Sequence, residues 1–194
     1  MYIHKIAVKN FRLLTNVNLF LEEWTTVIVG RNNSGKTSLT ELFRRLLTDN
    51  APSFRFEDFS LSAHDDFWKA FLLNRNGEPE DKIREALPII EVRLTINYGK
   101  NESDLGLLSQ FIIDLNPECT EALIILRYQL KDGEIAAFFE SISVEEKNSE
   151  EMQRTAFCRA IRDQVPEHYI SLRWQKTLAT ARTRNPSNSR NSGA

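Results

Sequence analysis

Cysteine, histidine and long apolar runs are all scarce in this sequence, and each scarcity closes off a class of function. The two cysteines, Cys119 and Cys158, show no metal-ligand spacing, so neither a disulfide framework nor a zinc cluster holds the fold. Thiols packed as small apolar side chains are the expectation for both. The three histidines, His4, His64 and His168, stand alone, without the spaced partners a metal site needs. No apolar run approaches the length of a membrane span, and the opening "MYIHKIAVKN" carries no signal-peptide core. A cytoplasmic protein with no membrane partner is therefore expected. Net charge is −2, so a chain-wide basic surface for nucleic acid is missing too. Charge is nonetheless uneven, because from His168 onward Arg173, Lys176, Arg182, Arg184 and Arg190 meet no acidic residue.

Glycine is also sparse, at seven residues, yet two of them punctuate one short stretch, "GRNNSGKTS" at 30 to 38. Gly30, Gly35, Lys36 and Thr37 match the phosphate-loop pattern G-x-x-x-x-G-K-[ST]. Before it lies "WTTVIV", Trp24 to Val29, whose β-branched and apolar run predicts a strand buried on both faces. After it, Leu39, Leu42, Phe43, Leu46 and Leu47 recur at helical spacing. Strand, loop and helix in that order are the context the motif requires.

The chemistry follows from the residue types. Such a loop turns its backbone N–H groups toward phosphate oxygens, and the following helix adds the positive end of its dipole. Gly30, Arg31, Asn32, Asn33, Ser34, Gly35, Lys36, Thr37 and Ser38 are the candidate nucleotide-binding residues. Gly30 and Gly35 permit close approach, and Asn32 and Asn33 tolerate left-handed angles. Lys36 would reach the β- and γ-phosphates, and the Thr37 hydroxyl would join the shell of Mg²⁺. ATP and Mg²⁺ are the expected cofactors.

Elsewhere the pattern is mixed. Residues 2 to 9 read as a strand, and Val17, Leu19 and Leu21 alternate as a second. In "LPIIEVRLTINYG", Ile90, Val92, Leu94 and Ile96 share one face and Glu91, Arg93, Thr95 and Asn97 the other, the mark of a half-exposed antiparallel strand. "EALIILRYQLKDGE" reads as another, ending in a turn at Asp132-Gly133. Helices are expected over 57 to 73, with Asp65 and Asp66 favouring its start, within "DLGLLSQFIIDL", and over 145 to 165. Composition divides the chain into a lobe at 1–173 and a tail at 174–194. From Ala179 the tail is rich in Arg, Asn and Ser with almost nothing to bury, and disorder is expected there.

Several of these features fall together in "IHKIAVKNFRLLTNVNLFLEEWTTVIVGRNNSGKTSL". The stretch resembles the N-terminus of ATPases in the SMC-like branch of the ABC superfamily. The NFR motif ending the first strand, the short second strand and the double-Asn loop look most like the OLD (overcoming lysogenization defect) family of ATP-dependent endonucleases. "DLGLLSQFIIDLNPE" looks like that family's first-lobe insertion. The resemblance covers roughly residues 1 to 143. It implies an α/β P-loop NTPase fold: an ABC/SMC-like first lobe with a mixed sheet, an antiparallel β-layer and flanking helices. It also implies that Asn10, Phe11 and Arg12 lie near the nucleotide. The bland alternative for Arg12 is a solvated residue ending a strand.

Members of that family pair the ATPase with a Toprim nuclease, dimerise, act on DNA, and in several cases serve in anti-phage defence. An ABC-type site further needs a signature segment and an apolar strand ending in Asp-Glu, and neither occurs after residue 48. The acidic pairs Glu22-Glu23, Asp65-Asp66, Glu145-Glu146 and Glu150-Glu151 are not preceded by four apolar residues. No catalytic residue is assigned. The expectation is an ATP-binding lobe of an OLD-type endonuclease that is incomplete relative to the family, meeting DNA through the complete assembly, as a homo-oligomer or beside a full-length homologue. The alternative is a stand-alone nucleotide-binding regulatory module that co-assembles with a full-length relative. An ordinary P-loop kinase or GTPase fits less well, since a strand hairpin precedes the loop.

Overall fold

The computed structural model describes residues 1–48, 51–98, 120–145, 147 and 149–178. The helix expected within 104 to 115, Cys119 and the stretch from Ala179 lie outside the described residues. Five strands form one sheet in the order β2-β1-β3-β4-β5: β1 Tyr2–Phe11, β2 Leu14–Phe20, β3 Ile90–Asn97, β4 Glu121–Leu130 and β5 Tyr169–Leu178. All four pairings are antiparallel. The expected mixed sheet is thus corrected to an antiparallel one among the described residues.

Alternation explains why one face of this sheet is buried. Ile6 and Val8 of β1 sit opposite Leu19 and Val17 of β2 and opposite Leu94 and Val92 of β3. With Leu126, Tyr128 and Tyr169 these side chains form one apolar layer. Polar and charged residues of β1 to β3, among them Lys9, Asn16 and Arg93, take the other face. At the end of β1 the alternation breaks. Asn10 adopts a left-handed conformation (φ 61°), and Phe11 is fully buried although Lys9, two residues before it, is exposed.

Among the described residues five α-helices join the sheet: α1 Lys36–Thr48, α2 Leu61–Arg75, α3 Glu80–Ala86, α4 Ile135–Glu140 and α5 Glu150–His168. The core is rich in aromatic side chains. Phe11, Phe54, Phe59, Phe67, Phe138 and Phe157 are all fully buried, and Phe157, Ile161 and Val165 form the inward stripe of α5. Helix α2 begins after Ser60, four residues before Asp65, so Asp65 and Asp66 lie within it and not at its start. There Asp65 pairs with Arg154 of α5 and Asp66 with Lys69. Strand β5 pairs with β4 from Tyr169 to Leu178 and runs past the boundary that composition suggests at 173/174.

The largest departure concerns Trp24 to Val29. This run is not a buried strand. It has no ladder partner among the described residues, and Trp24, Val27 and Val29 are 91%, 77% and 85% exposed. Its backbone is tied locally, where Glu22 N donates to Thr26 Oγ1 at 2.8 Å. β-branched composition records a preference for extended backbone, but a strand forms only where a neighbour supplies the ladder. In α1 the same incompleteness shows: Leu39 and Leu42 are buried, while Leu47 is 82% exposed. Val27→Thr is accordingly expected to change the unfolding free energy by less than about 0.5 kcal/mol in urea denaturation. A loss above about 1 kcal/mol, the cost of burying an unpaired hydroxyl, would show that the run is packed.

Candidate functional site

The loop at 30 to 38 is shaped by two left-handed residues, Asn33 (φ 65°) and Gly35 (φ 88°). Asn32 shows no such angle, so of the asparagine pair only Asn33 uses its tolerance for it. Gly30 is constrained by space: a Cβ there would stand 2.6 Å from Ser34 Oγ. At Gly35 both conditions apply, because a Cβ would also meet Leu14 Cδ2 at 2.9 Å. Helix α1 begins directly after it, with Leu39 N donating to Gly35 O at 2.9 Å. The first N–H groups of a helix have no intrahelical acceptor, so the loop ends at a row of donors.

Asn32, Asn33, Ser34, Gly35, Lys36, Thr37 and Ser38 line a cavity of about 320 Å³, closed on one side by Leu13 from the β1–β2 turn. Gly30 and Arg31 join the group through Lys36, whose ammonium donates to Gly30 O at 2.6 Å, to Arg31 O at 2.7 Å and to Ser34 Oγ at 3.3 Å. The charge therefore sits across the mouth of the loop. Thr37 is exposed and Ser38 is buried. A cavity edged by helix N–H groups, a lysine ammonium and a hydroxyl fits phosphate oxygens. Among the described residues no group of three or more His, Cys, Asp or Glu is placed to hold a metal ion. A Mg²⁺ at Thr37 would thus take its other ligands from phosphates and water, as this ion commonly does.

Arg12 is placed beside this cavity but does not line it. It too is left-handed (φ 48°), a conformation that costs of order 1–3 kcal/mol and persists where surrounding contacts over-determine it. Here they do. Arg12 N donates to Asp58 O at 2.8 Å, Ser60 N to Asn10 O at 3.1 Å, and Asn10 Nδ2 to Ile89 O at 3.0 Å. The Arg12 guanidinium grips Asp58 Oδ1 through Nε at 2.9 Å and Nη2 at 2.8 Å. Asp58 also receives Arg45 of α1, with Nη1 at 2.6 Å from Oδ2, and the backbone N–H of Arg55 at 3.0 Å. Arg45 in turn donates to Glu41 Oε1 at 2.8 Å.

These contacts set the ionisation of the carboxyls. Burial alone would raise Asp58, but the Arg55 N–H and the Arg45 and Arg12 guanidiniums hold it below the ordinary carboxylate range. Glu41 is lowered to about 2 by its hydrogen bonds with Arg44 and Arg45. Glu91, against which burial also works, is lowered by Arg127 and Arg93. Groups depressed on folding contribute stability above their unfolded values and lose it as pH falls through the folded ones. The urea midpoint should therefore be flat above about pH 5 and fall between about pH 4.5 and pH 2. Asp58→Asn should flatten that fall; an unchanged slope would contradict the network.

The three histidines have partners of other kinds. His64 stacks on Phe56 with ring centroids 4.1 Å apart, His168 pairs with Glu134 at 2.8 Å, and His4 meets Tyr2 and Phe20 edge-on. Leu13, Leu14, Arg45 and Asp58 are the site residues that sequence reasoning missed. Leu13 and Leu14 adjoin the NFR motif and were within its reach. Asp58 stands 46 positions from Arg12, and no local pattern links them.

Residues 1–185 match the family model described as AAA ATPase domain. The chain is also similar to Endonuclease GajA of Bacillus cereus (strain HuB5-5), 24% identical over 145 residues, covering 72% of this chain and 21% of that protein. The chain thus spans about a fifth of the length of that relative. No helix among the described residues is long and apolar enough to cross a membrane.

Proposed function

The chain belongs to the AAA ATPase domain family, and on that premise we propose that the loop from Gly30 to Ser38 holds the phosphates of ATP. The observation that carries this reading is the Lys36 ammonium poised over a cavity at the N-terminus of α1. When ATP enters, Lys36 exchanges the carbonyls of Gly30 and Arg31 for phosphate oxygens. The N–H groups of Gly35 to Ser38 orient the same oxygens, and Leu13 excludes water from one side. Thr37 would offer its hydroxyl to Mg²⁺, an ion that offsets phosphate charge when bound. Arg12 lies one residue from that wall and would stand near the bound nucleotide.

The P-loop lobe so formed is the ATP-binding part of an ATP-dependent DNA endonuclease of the OLD kind. The resemblance of residues 1 to 143 to that family and the endonuclease relative support this together. DNA is met through the larger assembly, and exposed Trp24, Val27 and Val29 favour a chain that works in association with further polypeptide. Thermal unfolding with and without MgATP tests the binding step. A ligand at a hundred times its Kd stabilises by about 2.7 kcal/mol, a shift of several degrees in a domain this size. An unfolding temperature indifferent to millimolar MgATP would remove the reading.

A further inference from the structure

Asp58 is buried, yet it accepts from two guanidiniums that come from different parts of the fold. Arg12 belongs to the β1–β2 turn, and Arg45 belongs to α1. Its two oxygens divide the work. Oδ1 takes both nitrogens of Arg12 and Arg45 Nη2 at 3.2 Å, while Oδ2 takes Arg45 Nη1 and the Arg55 N–H. The turn that Arg12 anchors continues into Leu13, which lines the loop cavity, and Leu14, which abuts Gly35. The helix that Arg45 anchors begins at Lys36. The two walls of the cavity, one apolar and one bearing the donors, are thus tied to a single carboxylate that touches neither.

We infer that Asp58 is a positioning residue for the loop site: by clamping α1 to the β1–β2 turn it sets the separation of Leu13 and Leu14 from the donors of Gly35 to Ser38. The inference rests on reading that loop as the ATP site. A carboxylate that served only to neutralise a buried cation would need one partner. Here a second guanidinium arrives from the opposite wall, and the backbone carbonyl of the same residue fixes the turn through Arg12 N at 2.8 Å. Loss of the clamp loosens the walls where they line the cavity, while Leu14, Leu39 and Leu42 keep the turn and α1 packed on the apolar core. Phosphate binding depends on donors held in place beforehand, so affinity falls even in folded protein.

The experiment is titration of ATP into the full chain, at a temperature where circular dichroism shows each variant folded. Asp58→Asn and Arg45→Gln are expected to lose roughly threefold to thirtyfold in affinity, the span of couplings inside one ion-pair network. Arg45→Lys, which restores a donor to Asp58, should recover part of that loss. A purely structural role would lower the unfolding temperature and leave the affinity of the folded protein unchanged. If Asp58→Asn does not fold, Arg45→Gln decides, because Asp58 then keeps Arg12. Wild-type binding with both variants within about twofold of it would overturn the positioning role alone. A wild type that binds no ATP would overturn the loop reading and this inference with it.

Discussion

Replacing Lys36 with alanine is expected to weaken ATP binding by about ten- to a hundredfold, with little change in stability. The affinity loss follows from removing a charge-assisted contact to phosphate, worth about 1.5–3 kcal/mol. The small stability change follows from what Lys36 does without a ligand. Its ammonium bonds the carbonyls of Gly30 and Arg31 and the hydroxyl of Ser34, all on exposed residues, so water can replace it when it is gone. Gly35 still lies against Leu14 and accepts from Leu39 N at 2.9 Å. Calorimetric titration beside urea denaturation separates the two effects. Affinity within twofold of wild type would mean that phosphate does not meet this lysine. A loss of several kcal/mol in stability would mean that the loop is held up by it.

Phe67→Ala is expected to cost about 3–5 kcal/mol, a large part of the 5–15 kcal/mol that typically separates folded from unfolded states. Phe67 lies on α2 and is fully buried. Its ring stands 5.0 Å from Phe59 at a steep angle, 5.5 Å from Phe56, 5.8 Å from Tyr169 of β5 and 6.3 Å from Phe138 of α4. It therefore joins the short turn at Phe56–Asp58, two helices and an edge strand. Those rings cannot all close on the void, so the lost contacts add to the lost transfer energy. Phe67→Leu should recover more than half of the deficit in the same urea titration. A cost below about 1.5 kcal/mol for alanine would show that the cluster can collapse.

Much of this architecture is legible in the residues, and the gaps have physical causes. The alternation in "EVRLTIN" places Val92 and Leu94 inward correctly because one face of the sheet carries the apolar core. The stretch 145 to 165 reads as a polar helix, and the structure adds the buried stripe of Phe157, Ile161 and Val165 on α5. The loop is legible because its backbone demands particular residues at Asn33 and Gly35. Strand β5 is not, since "YISLRWQKTL" interleaves charge with apolar residues at a sheet edge and takes its identity from its pairing with β4. Trp24 to Val29 fails in the opposite direction: its composition states a preference that no neighbour among the described residues satisfies. Asp58 lies beyond local reasoning altogether, because its role comes from Arg12 and Arg45, which chain folding brings together from two sides.

ATP phosphates bound on the loop and on the start of α1 would be visible in amide hydrogen exchange, resolved by residue in the full chain with and without MgATP. Slowed exchange is predicted from Gly30 to Ser38, strongest at Gly35 to Thr37, with adenosine producing none of it. Protection that appears elsewhere while those amides exchange as before would contradict the account.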